Sequence, residues 1–265
     1  NDDLLEDASE LTAPSEVEAA VVITDVWERA SAHFELPIPD DARVAAQRKW
    51  YLKHPEYMAR VVKRAKPFLY YIVEEIEKRE MPMELVLLPI VESAFDPFAY
   101  SHGRAAGMWQ FMPSTARQYM RVDHIIDERM DPYIATHGAI KLLKRNYALI
   151  GTWPLALTAY NYGAGGMLRA AKKVGTKDIG VIASKYKGPA FGFASRNFYP
   201  SFLAAYDVDR NAEKYFGALS LNRPLNYETL ALREYIPAKS LAASMGISSD
   251  LLKKHKPSLM EAVWS

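Results

Sequence analysis

Apolar residues recur at three- and four-residue spacing along most of the chain up to about residue 215, and this pattern confines it to a mostly α fold. Over 40–50, Asp40 or Asp41 stands where an N-cap carboxylate can accept from an unpaired first-turn amide. Pro55 opens a longer segment, 55–79, with Met58, Val61, Val62, Ala65, Leu69, Ile72, Val73 and Ile76 along one face. Pro82 introduces a strongly apolar helix over 85–91, expected to be the most buried of the fold. Asp131-Pro132 joins a cap to a first-turn proline and starts a helix that runs to Ile150 and stops at Gly151. Helices over 154–160, 164–173 and 196–215 follow, with Gly175 as the C-cap of the second.

Strand signal is concentrated in 227–236, and after it 239–245 and 249–255 read as two short helices about a turn at Gly246. A boundary is expected near Arg223-Pro224, and the absence of any repeat of roughly 30–50 residues argues against an α-solenoid. The expected organisation is an acidic lead with an N-terminal helix (1–39), a helical body (40–223) and a small α+β C-terminal segment (224–265).

The chain of 265 residues has no cysteine, which excludes disulfide scaffolds, thiol nucleophiles and thiolate metal sites. Its net charge of +1 hides an imbalance. Residues 1–18 carry seven acids and no base, so residues 19–265 stand at +8, a balance that suits a polyanionic partner. No apolar run reaches the roughly 18 residues that a membrane span needs, and residues 1–39 do not show the basic-then-apolar pattern of a signal peptide. The six histidines show no pair at metalloprotease spacing, so no metal and no cofactor are expected.

Glu92 carries the most chemistry. It ends the apolar run from Leu85 to Val91, and its i−3, i−4 and i−7 neighbours are Pro89, Leu88 and Leu85. A carboxyl on that face has its pKa raised by burial and keeps its proton near neutral pH, as protonation of a glycosidic oxygen requires. Downstream, Gly107-Met108-Trp109-Gln110 follows a Gly-containing loop over 101–106. The glycine there would let a ligand approach the backbone, and the glutamine amide could read a sugar's donor and acceptor. Core packing by Met108 and Trp109 is the other reading. Ala159-Tyr160-Asn161-Tyr162-Gly163 ends a further apolar helix, with Gly163 as a left-handed C-cap.

These segments, in this order, resemble the lytic transglycosylases of glycoside hydrolase family 23, which also holds the goose-type lysozymes. Glu92-Ser93, Gly107-Met108-Trp109-Gln110 and Ala159-Tyr160-Asn161 match the family's E-S, G-L-M-Q and A-Y-N motifs. The context around Glu92 is similar to the membrane-bound transglycosylase D type. The resemblance covers about 40–217 and implies a lysozyme-like (SLT-type) catalytic domain that cleaves peptidoglycan between N-acetylmuramic acid and N-acetylglucosamine. It implies Glu92 as the sole catalytic acid/base, with Ser93, Met108, Trp109, Gln110, Tyr160 and Asn161 binding the sugars or positioning the glutamate. A monomer in the periplasm or cell envelope, exported and without a nucleic-acid partner, is the accompanying expectation. A non-catalytic peptidoglycan-binding scaffold is the competing one.

A fourth family motif, E-T-R-N-Y-V, departs from the pattern. The aligned residues are Ala194-Ser195-Arg196-Asn197-Phe198-Tyr199, so Phe198 replaces the tyrosine and Tyr199 follows it. One position turns a helical side chain by about 100°, so Tyr199 is no simple substitute. Asn197, Phe198 and Tyr199 complete the implied substrate-binding set, and the departure leaves both anhydro-ring closure and hydrolysis open as outcomes. Asp96, the nearest second carboxylate, reads as turn chemistry with Pro97, and Asp127 and Asp131 read as structural. The C-terminal helices are similar to LysM glycan-binding modules and fit a capping role equally well. A DNA-reading helix-turn-helix ranks third, having only Lys253, Lys254 and Lys256 behind it.

Overall fold

The structure, a computed structural model, describes residues 26–210 and 236–264. Among these residues the chain is helical, and the only β pairing is a set of isolated bridges. After α1 (Val26–Ser31), helices α2 (Ala42–Lys53) and α3 (Pro55–Ala65) follow one another with His54 between them. Asp41 caps α2 by accepting from the Arg43 amide at 2.7 Å.

The single segment expected over 55–79 is two helices, α3 and α4 (Leu69–Glu77). Pro67 has no N–H to continue the ladder, and the chain turns at 66–68 before α4 resumes. The apolar run after Pro82 likewise starts as a 3₁₀ turn, Met83–Leu87, and becomes α5 only at Leu88–Ser93. Pro89, again without an amide, fits only the first turn of an α-helix. The run is as buried as expected: Leu85, Val86, Leu87, Leu88 and Ile90 expose no surface.

Beyond the short helix α6 (Pro113–Ala116) and a 3₁₀ turn (Glu128–Met130) lies α7 (Pro132–Ile150), the longest helix described. Its bounds are those expected from the sequence. Asp131 caps it through the Tyr133 and Ile134 amides, and Gly151 ends it at φ 86°. Asn146, buried, donates to the Ala156 carbonyl at 3.2 Å and ties α7 to α8 (Trp153–Tyr162). Helices α9 (Ala164–Val174), α10 (Ile179–Lys185) and α11 (Phe193–Arg210) follow, and α11 packs back against α2, α5 and α8 around the main core. Gly175 is left-handed as expected. Gly163 differs, at φ 90° and ψ 139°, an extended conformation that glycine alone reaches without strain.

In the C-terminal segment, α12 (Ala238–Ser244) and α13 (Ser249–His255) pack Ala238, Ala242 and Leu252 against Trp264. This small cluster is docked on the body. The Asp127 amide donates to the Ser258 carbonyl, the Met260 amide donates to the Ile125 carbonyl (both 2.9 Å), and Leu259 bridges to Ile126. The strand expected over 227–236 lies outside the described residues apart from Ile236. The acidic lead and the boundary near Arg223 lie outside them entirely.

Candidate active site

Glu92 is the penultimate residue of α5, and the helix stops abruptly beyond it. Ala94 and Phe95 both take left-handed backbone, at φ 53° and 57°, which costs a side-chain-bearing residue roughly 1 kcal/mol each. Their amides reach back to the carbonyls of Ile90 (3.2 Å) and Pro89 (3.1 Å), fixing the turn from which Glu92 projects. The residue is half-buried, and its carboxyl makes no hydrogen bond or ion pair to any described residue. Burial pushes its pKa up to about 8. At neutral pH it is an unpartnered carboxylic acid.

The three motifs meet at the backbone of the 107–110 turn. Ser93 donates its hydroxyl to the Met108 carbonyl, and Tyr160 donates to the Trp109 carbonyl, each at 2.8 Å. Two consecutive carbonyls of the second motif are therefore held by side chains of the first and third. Burial, reinforced by the nearby Glu92 charge, holds the Tyr160 phenol well above its ordinary pKa, so it stays a donor. Gln110, at φ 49°, aims its amide nitrogen at the Gly107 (2.8 Å) and Ala99 (3.3 Å) carbonyls. Two carbonyl acceptors fix which end of the amide is nitrogen, and the oxygen keeps its acceptor capacity. Asn161, at the exposed end of α8, accepts from the Ser195 hydroxyl at 2.8 Å and so joins α8 to α11.

Several expectations change here. Met108 and Trp109 are core residues, 1% and 0% exposed, and the Trp109 indole donates to Thr136 inside the protein. Their side chains have no surface to offer a sugar. What approaches Gly107 is backbone, not ligand: a Cβ built there would lie 1.8 Å from the Arg129 carbonyl oxygen, and φ is 76°. Phe198 and Tyr199 are buried in α11, and Asn197 spends its amide on the Phe193 carbonyl at 2.8 Å. Tyr199 lines a cavity of about 590 Å³ with Leu36, Trp153 and Pro200, and Glu92 is not part of that lining. Burial, with the charge of Glu84 added, raises its pKa.

Asp96 accepts from the Phe98 amide at 3.0 Å and pairs with Arg64 at 2.8 Å, which is turn chemistry as read from the sequence. Arg129 had no signal in the sequence. It is 3% exposed, its guanidinium pairs with Asp127 and donates to the Arg104 (2.7 Å) and Phe111 (3.0 Å) carbonyls. Those carbonyls flank the 107–110 turn, so the buried ion pair braces it from behind. Tyr57, also missed, donates to the Ile90 carbonyl at 2.8 Å, two residues before the glutamate. Among the described residues no group of three or more His, Asp or Glu side chains is arranged to hold a metal ion.

Residues 70–182, which hold every contact just described around Glu92 except those of Tyr57, Arg64 and α11, match the family model of the transglycosylase SLT domain. Those residues therefore form a transglycosylase SLT domain. The chain is 34% identical over 243 residues to membrane-bound lytic murein transglycosylase D of Escherichia coli (strain K12), covering 86% of this chain and 51% of that protein. The protein of the same name from Escherichia coli O6:H1 matches to the same extent. The chain thus spans about half the length of the curated relatives it matches. Its α2 and α3 precede the matched domain, and α11 with the C-terminal segment follows it.

Proposed function

We propose that the protein cleaves peptidoglycan glycan strands at the β-1,4 bond between N-acetylmuramic acid and N-acetylglucosamine, with Glu92 as the only catalytic carboxyl. The single observation that carries this is the Glu92 carboxyl itself, raised to a pKa of about 8, without a partner among the described residues and next to Ser93, which with Tyr160 holds the 107–110 turn. The names of the two relatives support the same reaction.

Glu92 gives its proton to the glycosidic oxygen as the C1–O bond breaks. A retaining glycosidase with two carboxylates needs the second at about 5–5.5 Å, and Asp96 is already engaged by Arg64 and the Phe98 amide. The substrate's own 2-acetamido oxygen therefore bonds to C1. The Glu92 carboxylate next takes the proton of the 6-hydroxyl, O6 displaces the acetamido oxygen, and the acid is restored with no water consumed. The product carries a 1,6-anhydro ring. Hydrolysis, in which water replaces the 6-hydroxyl, is the alternative that the Phe198 departure keeps in view.

Digestion of purified sacculi by the wild type and by Glu92→Gln tests the reading. Muropeptide release by the wild type alone is expected; equal release by both would remove Glu92 from the chemistry, and release by neither would leave only a binding scaffold. Mass spectrometry of the same digest should find products one water lighter than reducing-end muropeptides, and reducing ends would make the protein a lysozyme. The reading places the protein in the periplasm or cell envelope, acting as a monomer without a nucleic-acid partner. No helix among the described residues is long and apolar enough to cross a membrane. The body over 40–223 would act as the catalytic unit and 224–265 as a cap, a role supported by the backbone pairing at Asp127 and Met260.

A further inference from the structure

Helices α2 and α3 lie outside the matched domain and are strongly basic. Residues 42–66 contain eight bases and one acid, Glu56. Three of the bases are paired: Arg43 with Asp41 (2.6 Å), Arg48 with Asp207 (2.8 Å) and Arg64 with Asp96 (2.8 Å). The other five, Lys49, Lys53, Arg60, Lys63 and Lys66, are exposed. Lys49, Trp50 and Lys53 share the outward face of α2, while Arg60 and Lys63 share that of α3.

An aromatic stack runs between them. Trp50 keeps 43% of its surface exposed while its ring stacks on His54 at 4.4 Å and meets Tyr57 edge-on at 5.1 Å. The Arg60 guanidinium sits over the Tyr57 ring at 5.5 Å. The surface is also continuous with the active-site helix. Tyr57 bonds to the Ile90 carbonyl, and Arg64 pairs with Asp96 just beyond the end of α5. A tryptophan braced by neighbouring rings presents a rigid apolar plane at small entropic cost, which suits the flat face of a sugar.

We propose that the outward face of α2 and α3 is a second binding surface for the peptidoglycan strand, with Trp50 stacking on a sugar ring and Lys49, Lys53, Arg60 and Lys63 taking the carboxylates of stem peptides. This rests on the reading of the protein as a peptidoglycan-cleaving enzyme. An anionic membrane is a poorer fit. Trp50 is the only large apolar side chain exposed on the two helices, whereas an interfacial helix inserts a row of them.

The test is co-sedimentation in a Glu92→Gln background, which leaves the strand uncut, with intact sacculi and with peptide-stripped glycan. Trp50→Ala should weaken binding to both by about tenfold, and Trp50→Phe should restore most of it. Replacing Lys49, Lys53, Arg60 and Lys63 by Ser should weaken sacculus binding about tenfold and flatten its salt dependence, with peptide-stripped glycan bound as before. A matched variant with Ser at the exposed Lys141, Lys144, Lys172 and Lys173 should bind sacculi like the parent. Equal loss in the matched variant, or no loss in either patch variant, overturns the proposal. So does loss of binding to anionic phospholipid vesicles with sacculus binding intact. Cleavage by the wild type is read separately, so failure of the enzymatic reading and failure of this surface leave different records.

Discussion

Replacing Glu92 by Gln should make the protein more stable relative to wild type as the pH rises. The folded carboxyl has a pKa of about 8 against an ordinary value of 4.5, and burial is the cause. Between those two values the unfolded chain has released this proton while the folded chain keeps it. The folded state therefore binds more protons, and wild-type stability falls as pH rises through the window. A single group contributes a slope of about −1.4 kcal/mol per pH unit at most, for a ceiling of about 5 kcal/mol across it. Glu92 is only half-buried, so solvent screens part of this and about 2 kcal/mol by pH 8 is the expected size. Glutamine does not titrate. Any cost of burying its amide is the same at every pH and drops out of the trend. Urea unfolding of both proteins at pH 5, 6.5 and 8 measures the gap. A gap that stays flat across the series, or that widens toward low pH, would show that the carboxyl is not held protonated by burial.

Other perturbations follow from the same geometry. Gly107→Ala puts a Cβ 1.8 Å from the Arg129 carbonyl oxygen in a left-handed backbone, and should cost at least about 3 kcal/mol in urea unfolding; a wild-type midpoint would contradict the packing. Arg129→Met strands the Asp127 carboxylate and the carbonyls of Arg104 and Phe111, for a loss of about 3–5 kcal/mol by the same measurement. Asp131→Ala removes the cap of α7 and the partner of Lys256, and should cost about 1–2 kcal/mol in thermal unfolding, with an unchanged midpoint as the contrary result.

Where local chemistry decided the structure, it could be read directly. Asp131-Pro132 and Gly151 bound α7 because a cap, a first-turn proline and a left-handed glycine each act within one turn. The apolar wall beneath Glu92 was legible only in part: Pro89 and Leu88, at i−3 and i−4, share α5 with it, whereas Leu85 lies in the preceding 3₁₀ turn, where an i−7 spacing defines no common face. Pro67 and Pro89 spoiled the bounds nearby because an apolar periodicity continues across a missing amide even where the hydrogen-bond ladder does not. The bracing around the site was not legible. Arg129 reaches carbonyls of residues 104 and 111, and Tyr57 reaches residue 90, contacts that no spacing encodes. The motif tryptophan showed the opposite limit. The resemblance put Trp109 among the residues that bind the sugars or position the glutamate, but only the fold reveals that Trp109 is shut inside and Trp50 faces out.

Asp127 serves two masters. Its carboxylate holds Arg129, and through it the turn beside Glu92, while its amide is bonded to Ser258 in the C-terminal segment. One residue thus makes the tail and the catalytic turn heirs to the same constraint. A lineage that remodels the tail must either keep a carbonyl in the place of Ser258 or re-tune the brace of the turn. Drift in the cap is therefore filtered by the chemistry at the far side of Arg129.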